Sequence, residues 1–119
     1  MYKKERLAEA LHSFVANELR SLHDQRFSLV TITEVRPGKD YKSAKIFWTM
    51  PADAERDEAF PTDKNQRLMS EALDGVVSLL RRRIAQELSL RFVPELDFAY
   101  DSSAERGSKI DDLLKKAGY

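Results

Sequence analysis

Hydrophobic positions along the chain follow a helical period in two long segments. The first segment, residues 3–23, places Leu7, Leu11, Phe14, Val15, Leu19 and Leu22 on one arc of a helical wheel. The second places Leu68 or Met69, Leu73, Val76, Val77, Leu80, Ile84 and Leu88 on one arc. Polar residues occupy the opposite side in both segments. Each pattern therefore predicts an amphipathic helix with one buried face.

Two runs rich in β-branched and aromatic residues lie between these helices and predict a β-hairpin. Pro37 and Gly38 mark the turn between the runs. In the second run the inward positions are Ala44, Ile46, Trp48 and Met50. Lys45 lies on the opposite face and points outward, because successive side chains of a strand alternate. The hairpin therefore has a basic tip and one face directed at the helices.

A third strand is predicted after the second helical segment. Pro94 cannot continue a helix, and the residues that follow it alternate between apolar and charged or small side chains through Tyr100. The acidic stretch 51–64 lacks periodicity and predicts an exposed loop. Near the end of the chain, Ile110, Leu113 and Leu114 predict a short C-terminal helix anchored by these three residues.

The second helical segment contains a predicted break. Gly75 and Ser78 interrupt it without shifting its apolar phase, so we expect a bend or short break within Gly75, Val76, Val77 and Ser78. The predicted order is α-β-β-α-α-β followed by a helix. This order indicates an α+β fold with a three-stranded mixed sheet covered by helices on one face.

Composition narrows the possible classes of protein. The chain has 119 residues, of which 42% are hydrophobic, and this size suits one compact domain over residues 1–119. There is no cysteine, which excludes disulfides and cysteine-ligated metal. Charged residues near the start rule out a secretory signal, and no later apolar run is long enough to span a bilayer. We therefore expect a soluble cytoplasmic protein without a membrane partner.

Charge is balanced overall but unevenly distributed. The chain has 20 basic and 20 acidic residues. Residues 53–63 contain five acids and one base, whereas residues 36–45 and residues 81–91 each contain four bases and one acid. Two basic patches in a small domain favour a polyanionic partner, although an ordinary solvated surface would show the same runs. No exposed aromatic platform for base stacking is expected.

Several short motifs resemble one known family. The segment "SLRFVPELDFAYDSS", followed by Gly107 and Ile110, resembles the C-terminal signature of the ribosome-binding factor A family. "DQRFSLVTITEV" resembles the turn that leads into that family's first strand, and "SAKIFWT" resembles its second strand. The order of elements is similar to the type II KH fold. The resemblance implies a 30S assembly factor that binds the immature subunit and its 16S rRNA, supports late rRNA maturation and is needed for growth in the cold.

The resemblance directs attention to the exposed cations as RNA contacts. Arg82 points directly away from the apolar arc, and Arg81 and Arg83 flank it at about 80° on either side, taking about 100° per residue. The other candidates are Lys39, Lys42 and Lys45 of the hairpin and Arg26. Solvated surface and local ion pairs, such as Arg83 with Glu87 or Arg26 with Asp24, explain the same residues.

The interhelical break is the clearest departure from the family. Family members carry Ala-x-Gly there, whereas this chain has Val76-Val77-Ser78, with Gly75 as the nearest glycine. Because serine adopts positive φ less readily than glycine, the sequence does not assign a functional role to this break.

An enzyme and a protein-interaction module are the two alternatives to an RNA-binding protein. His12 and His23 lie eleven residues apart on one helical face, about 16 Å along the axis at about 1.5 Å per residue, so they cannot share a metal. No catalytic motif appears, and we expect no enzyme activity, cofactor, metal or small-molecule substrate. A small α+β protein-interaction module without RNA binding stays open as the alternative. In either case a monomer is expected.

Overall fold

The computed structural model describes residues 3–53 and 55–118 and has the predicted order of elements. The elements are α1 (Lys4–Ser21), a short 3-10 helix (Gln25–Leu29), β1 (Thr31–Pro37), β2 (Ser43–Thr49), α2 (Asp63–Gly75), α3 (Val77–Glu87), β3 (Glu95–Tyr100) and α4 (Ser103–Lys116). The α+β fold predicted from the sequence is thereby confirmed. Within the described ranges, no helix has both the length and the apolar character needed to cross a membrane.

The three strands form one mixed sheet with β2 in the centre. β1 pairs with β2 antiparallel, and β3 pairs with β2 parallel. A parallel neighbour requires a long crossover connection, which α2 and α3 provide. As a result, the hairpin turn and the start of β3 lie at the same end of the sheet. The N–H of Glu95 donates to the carbonyl oxygen of Lys42 at 2.9 Å and fixes this relationship.

The core lies between α1, α2 and α3 and the face of the sheet that they cover. The largest fully buried side chains are Trp48, Leu11, Leu19, Ile46, Leu73, Leu80, Ile84, Val15 and Pro94. The indole of Trp48 meets the ring of Tyr100 edge to face, with centroids 5.2 Å apart, in the geometry that aromatic quadrupoles favour. Of the two candidates that start the second apolar arc, Met69 is buried and Leu68 is exposed.

The break between α2 and α3 is formed by Val76. This residue has φ −109° and ψ 3°, and its N–H donates to the carbonyl oxygen of Leu73 at 3.1 Å. Neither Gly75 nor Ser78 has a positive φ. The chain therefore turns from one helix into the next without any residue in the left-handed region, so a serine at position 78 causes no backbone strain.

The prediction that Ile110, Leu113 and Leu114 anchor the C-terminal helix is wrong. These side chains are 56%, 60% and 45% exposed, and α4 has no buried residue. Instead, the helix is held at its first turn, where the hydroxyl of Tyr100 donates to the carboxylate of Glu105. The three apolar positions lie in later turns of α4.

The carboxylate of Asp101 joins β1 to the start of α4. It accepts hydrogen bonds from the hydroxyl of Thr33 at 2.6 Å and from the N–H of Ser103 at 3.0 Å. The hydroxyl of Ser103 is a further donor. Hydrogen bonds from Ser103 and then Thr33 favour the charged carboxylate and lower the pKa of Asp101 to about 2. This residue thus stabilises the junction between the sheet and α4.

Candidate nucleic-acid interface

The hairpin turn presents two lysines from a well-defined backbone. The N–H of Gly38 donates to the carbonyl oxygen of Ser43 at 2.8 Å, and Tyr41 takes a φ of 62°, which is uncommon for a residue other than glycine. The carboxylate of Asp40 accepts a hydrogen bond from the N–H of Lys42 at 3.0 Å. Lys39 and Lys42 are exposed, and neither has an ion-pair partner among the described residues.

Arg81 does not share the exposure predicted for the arginine triplet. It is half-buried, and its guanidinium donates to the carbonyl oxygens of Pro94 at 3.0 Å and Val93 at 3.1 Å. Since Arg81 flanks the apolar arc, its long side chain can fold back toward the sheet instead of extending into solvent. The prediction of three equivalent exposed arginines is therefore wrong at this position.

The other two arginines of α3 differ from each other. Arg83 pairs with Glu18 of α1 at 3.0 Å, and not with Glu87 as the helical spacing suggested. This pair gives Glu18 the partner that its position on the edge of the apolar face of α1 requires. Arg82 is exposed and has no ion-pair partner within the part of the chain that the structure describes. Of the triplet, Arg82 is the most accessible to a phosphate.

Arg26 is engaged by its neighbour Asp24. The guanidinium of Arg26 donates to both carboxylate oxygens of Asp24, to Oδ1 at 3.1 Å and to Oδ2 at 2.7 Å, and the backbone N–H of Arg26 also donates to this carboxylate. Hydrogen bonds from the Arg26 side chain hold the pKa of Asp24 below its usual range. The pair stabilises the 3-10 helix that precedes β1, and it lies at the end of the sheet opposite the hairpin turn.

Lys45 occupies the face of the sheet that α1, α2 and α3 leave open. It pairs in register with Arg36 and Asp97, and its ammonium group lies 3.9 Å from the Asp97 carboxylate. On the same face, Arg36 pairs with Glu34 at 2.9 Å and lies 5.1 Å from the centre of the Phe47 ring. Lys45 therefore belongs to a surface of mixed charge.

The seven predicted RNA-contacting residues thus do not form a single surface. Lys39 and Lys42 lie at the hairpin end of the sheet. Arg81 also lies there, but its guanidinium donates hydrogen bonds to backbone carbonyl groups. Arg82 and Arg83 lie on the outer side of the helical layer. The break at Gly75 to Ser78 exposes Gly75 and Ser78 and keeps Val76 and Val77 half-buried.

Phe92 and Arg91, at the hairpin end, were not among the predicted RNA contacts, although Arg91 belongs to the basic stretch 81–91. Phe92 is 56% exposed, and the guanidinium of Arg91 lies 5.4 Å from the centre of its ring. Arg91 has no ion-pair partner among the residues described. We expected no exposed aromatic platform for base stacking, and the exposed ring of Phe92 is a candidate for one. The sequence signal for this position was an aromatic residue next to a basic residue in the loop before Pro94. This loop belongs neither to the helical pattern nor to the alternating pattern of the strand.

The opposite end of the sheet has a different chemistry. There an open groove of about 480 Å³ is lined by Leu29, Met50, Leu68 and Met69 together with Arg26 and Asp53. The acidic loop 51–62 begins at this groove. Phosphates would be repelled by this loop, so a polyanion is expected to approach the hairpin end or the outer side of α3.

Comparison with known proteins agrees with this architecture. A family model described as "Ribosome-binding factor A" matches residues 3–114. Ribosome-binding factor A of Geobacter metallireducens is 38% identical over 120 residues, covering 99% of this chain and 94% of that relative. The crystal structure of ribosome-binding factor A from Thermus thermophilus has a TM-score of 0.66 at 24% identity, covering 83% of this chain and 97% of that one.

A second set of coordinates shares the fold. It is a homology model of Thermus thermophilus ribosome-binding factor A fitted into a cryo-EM map of its complex with the 30S subunit. The TM-score is 0.58 at 24% identity, covering 80% of this chain and 91% of that one. At these identities both structural matches concern the arrangement of helices and strands.

Proposed function

The chain belongs to the ribosome-binding factor A family, and from this premise we propose that it is a 30S assembly factor. In this proposal it binds the immature subunit and its 16S rRNA in the cytoplasm and supports late rRNA maturation. The Thermus thermophilus relative fitted into the map of a 30S complex supports the subunit as partner. In the same proposal it acts by binding and not by catalysis, which the family description "Ribosome-binding factor A" supports.

Lys39 and Lys42 of the hairpin turn, exposed and without an ion-pair partner among the described residues, carry the proposal for RNA contact. Asp40 is the acidic residue of this turn, and its carboxylate already accepts the Lys42 N–H. The ammonium groups of Lys39 and Lys42 can therefore bind phosphate without first breaking an ion pair. Each phosphate contact releases counterions from the RNA, which makes the binding dependent on salt.

Arg82 and the helix break provide a second candidate contact. Arg82 is exposed on the outer side of α3, and Gly75 presents backbone without a side chain at the end of α2. A phosphate backbone can approach such a position closely, as it does at the helix junction of KH modules. Arg83 would have to leave Glu18 to take part, so we place it second to Arg82.

The proposal is tested by the double variant Lys39→Ala/Lys42→Ala in sucrose-gradient fractionation. We expect the variant to dissociate from immature 30S subunits at a lower salt concentration than the parent does. It should then be missing from the gradient fraction that contains these subunits. Lys109→Ala/Lys115→Ala is the matched control, since it removes two exposed lysines from α4. In a direct assay with 16S rRNA, the salt slope is the slope of the logarithm of the binding constant against the logarithm of the salt concentration. Its magnitude should fall by roughly 0.7 to 0.9 for each lysine lost from a phosphate contact.

The same experiment separates the alternative of a protein-interaction module. An apolar contact through the groove at Leu29 and Leu68 would be nearly insensitive to salt. If the double lysine variant associates with immature subunits as the parent does, and salt has little effect on either, the RNA-binding proposal is wrong.

A further inference from the structure

Phe92 is held in an exposed position by the residues around it. Leu90 and Val93 pack partly against the core, and Pro94 is fully buried. The two hydrogen bonds from Arg81 fix the carbonyl groups of Val93 and Pro94. The loop is therefore anchored on both sides of Phe92, and its exposed ring does not result from a free chain segment.

Two hollows of different chemistry meet at Phe92. One has a volume of about 230 Å³ and a largely apolar lining that includes Leu7, Tyr41 and Leu90. The other has a volume of about 500 Å³ and a more polar lining that includes Lys42 and Arg81. Phe92 and Asp40 line both hollows. A ligand with a flat apolar ring and an attached anion would match this arrangement.

The charges around the ring favour a polyanionic strand. The two hollows are lined by three cations, Lys42, Arg81 and Arg91, and by two carboxylates, Asp40 and Glu95, and Lys39 precedes Asp40 in the hairpin turn. One carboxylate is already bonded to the Lys42 N–H. The guanidinium of Arg91 lies against the Phe92 ring as a cation–π pair, which places a positive charge beside the ring.

We propose that Phe92 is a stacking platform for one unpaired base of an RNA strand, with the neighbouring phosphates bound by Lys39, Lys42 and Arg91. The proposal rests on the proposed function, because it assumes RNA as the partner, and it adds a site that reads single-stranded RNA. Aromatic stacking accepts any base, so the site selects for an unpaired nucleotide and not for a sequence.

A tryptophan at position 92 tests the stacking directly. Trp48 is fully buried, so in Phe92→Trp the new indole is the one in contact with solvent. We expect a short oligoadenylate to quench this exposed fluorescence. A strand of equal length with abasic ribose units should not quench it, because that strand keeps the phosphates and lacks the bases. Parent protein, which has only Trp48, is the fluorescence control.

Affinity measurements separate stacking from charge. Phe92→Ala should lower the affinity for oligoadenylate about 10-fold without changing the salt slope, because stacking on an aromatic ring releases no counterions. Phe92→Tyr should restore most of the affinity. Leu29→Ala is the matched control, since Leu29 is 47% exposed at the other end of the sheet and should bind as the parent does. All three variants should keep the parent's thermal midpoint.

Two results would overturn the inference. In the first, Phe92→Ala binds oligoadenylate with the parent's affinity, or the tryptophan is quenched equally by the abasic strand. In the second, Phe92→Ala weakens association with immature subunits but not with RNA, which would mean that the ring contacts a protein. Both leave the proposed function intact, because the lysine variants test RNA binding independently of Phe92.

Discussion

The guanidinium of Arg81 donates a hydrogen bond of 3.0 Å to the carbonyl oxygen of Pro94, joining the middle of α3 to the residue before β3. A second bond of 3.1 Å reaches the carbonyl oxygen of Val93. These carbonyls lie where the chain passes from the loop into the sheet. Arg81 thus supports the same loop that presents Phe92.

Replacing Arg81 with Ala should therefore reduce stability. We expect the free energy of unfolding to fall by about 1 to 3 kcal/mol, because half-buried carbonyl groups lose a charged donor. Arg82→Ala, which removes the neighbouring exposed arginine, should stay within about 0.5 kcal/mol of the parent. Urea unfolding followed by far-UV circular dichroism measures both. Equal stability of the two variants would show that the bonds to Val93 and Pro94 contribute nothing.

Most of the fold could be predicted because burial leaves a periodic pattern in the sequence. The inward side chains of β2, such as Ile46 and Trp48, alternate with outward ones, and the buried residues of α1 recur at helical spacing. Pro94 adds a local signal, since it stops a helix and permits a strand. These patterns depend only on which residues face the core, and the buried residues of α1, α2, α3, β2 and β3 lie on the predicted faces.

The C-terminal helix shows where periodicity stops being informative. Ile110, Leu113 and Leu114 have the spacing of a buried helical face, yet all three are exposed. The spacing indicates that one side of α4 is apolar but carries no information on whether another element of the same chain reaches it. That depends on the direction in which the helix leaves β3, which is fixed by contacts of Asp101 and Tyr100.

The candidate site was harder to predict than the fold for a related reason. On a helical wheel, Arg81 and Arg83 flank the apolar arc symmetrically, and nothing local distinguishes them. Tertiary packing places the carbonyls of the β3 entry beside Arg81 and Glu18 of α1 beside Arg83. Phe92 lies in a loop with no period at all. Roles of this kind depend on which elements become neighbours, and a single sequence does not encode that locally.

Phe98→Ala should be among the most destabilising single changes in β3. Phe98 is 6% exposed and lies opposite Ile46 of the central strand. Removing the ring should cost about 3 to 5 kcal/mol, because the cavity left behind adds to the lost transfer free energy. Phe92→Ala removes the same ring from an exposed position and should cost little. Chemical denaturation of both variants checks the expectation, and similar midpoints would contradict the packing of β3.

Asp101 should make part of the stability dependent on acid pH. Its pKa of about 2 in the folded protein is below the value of about 3.9 for an unperturbed aspartate. A carboxylate with a lowered folded pKa stabilises the protein above the unfolded pKa, and this contribution is lost as the pH falls from about 4 to about 2. Asp101→Asn should therefore be less stable than the parent at neutral pH, and the difference should shrink across that window.

The matched control for this measurement is Asp97→Asn. Asp97 lies in β3 near Lys45, and its carboxylate accepts no hydrogen bond from the described residues. We expect its substitution to leave the acid dependence close to that of the parent, measured as urea midpoints at several pH values. If Asp101→Asn keeps the parent's full loss of stability in acid, the bonds from Ser103 and Thr33 are not its cause.

Gly75→Ala can separate a structural role of the helix break from a role in binding. Gly75 is the last residue of α2, its φ is not positive, and a Cβ placed there meets no atom within 4 Å. The fold should therefore tolerate alanine, with the free energy of unfolding unchanged or raised by up to about 1 kcal/mol. If RNA approaches the bare backbone of this exposed residue, however, the added methyl group should weaken binding to 16S rRNA.

Gly107→Ala is the control for this prediction, because Gly107 lies within α4 and its added Cβ also meets open space. This variant should gain similar stability, since alanine is favoured over glycine inside a helix, and should bind RNA as the parent does. Filter binding at fixed salt measures the affinities. A Gly75→Ala variant that is folded and binds 16S rRNA with the parent's affinity would place the RNA contact elsewhere, on the hairpin lysines and Phe92.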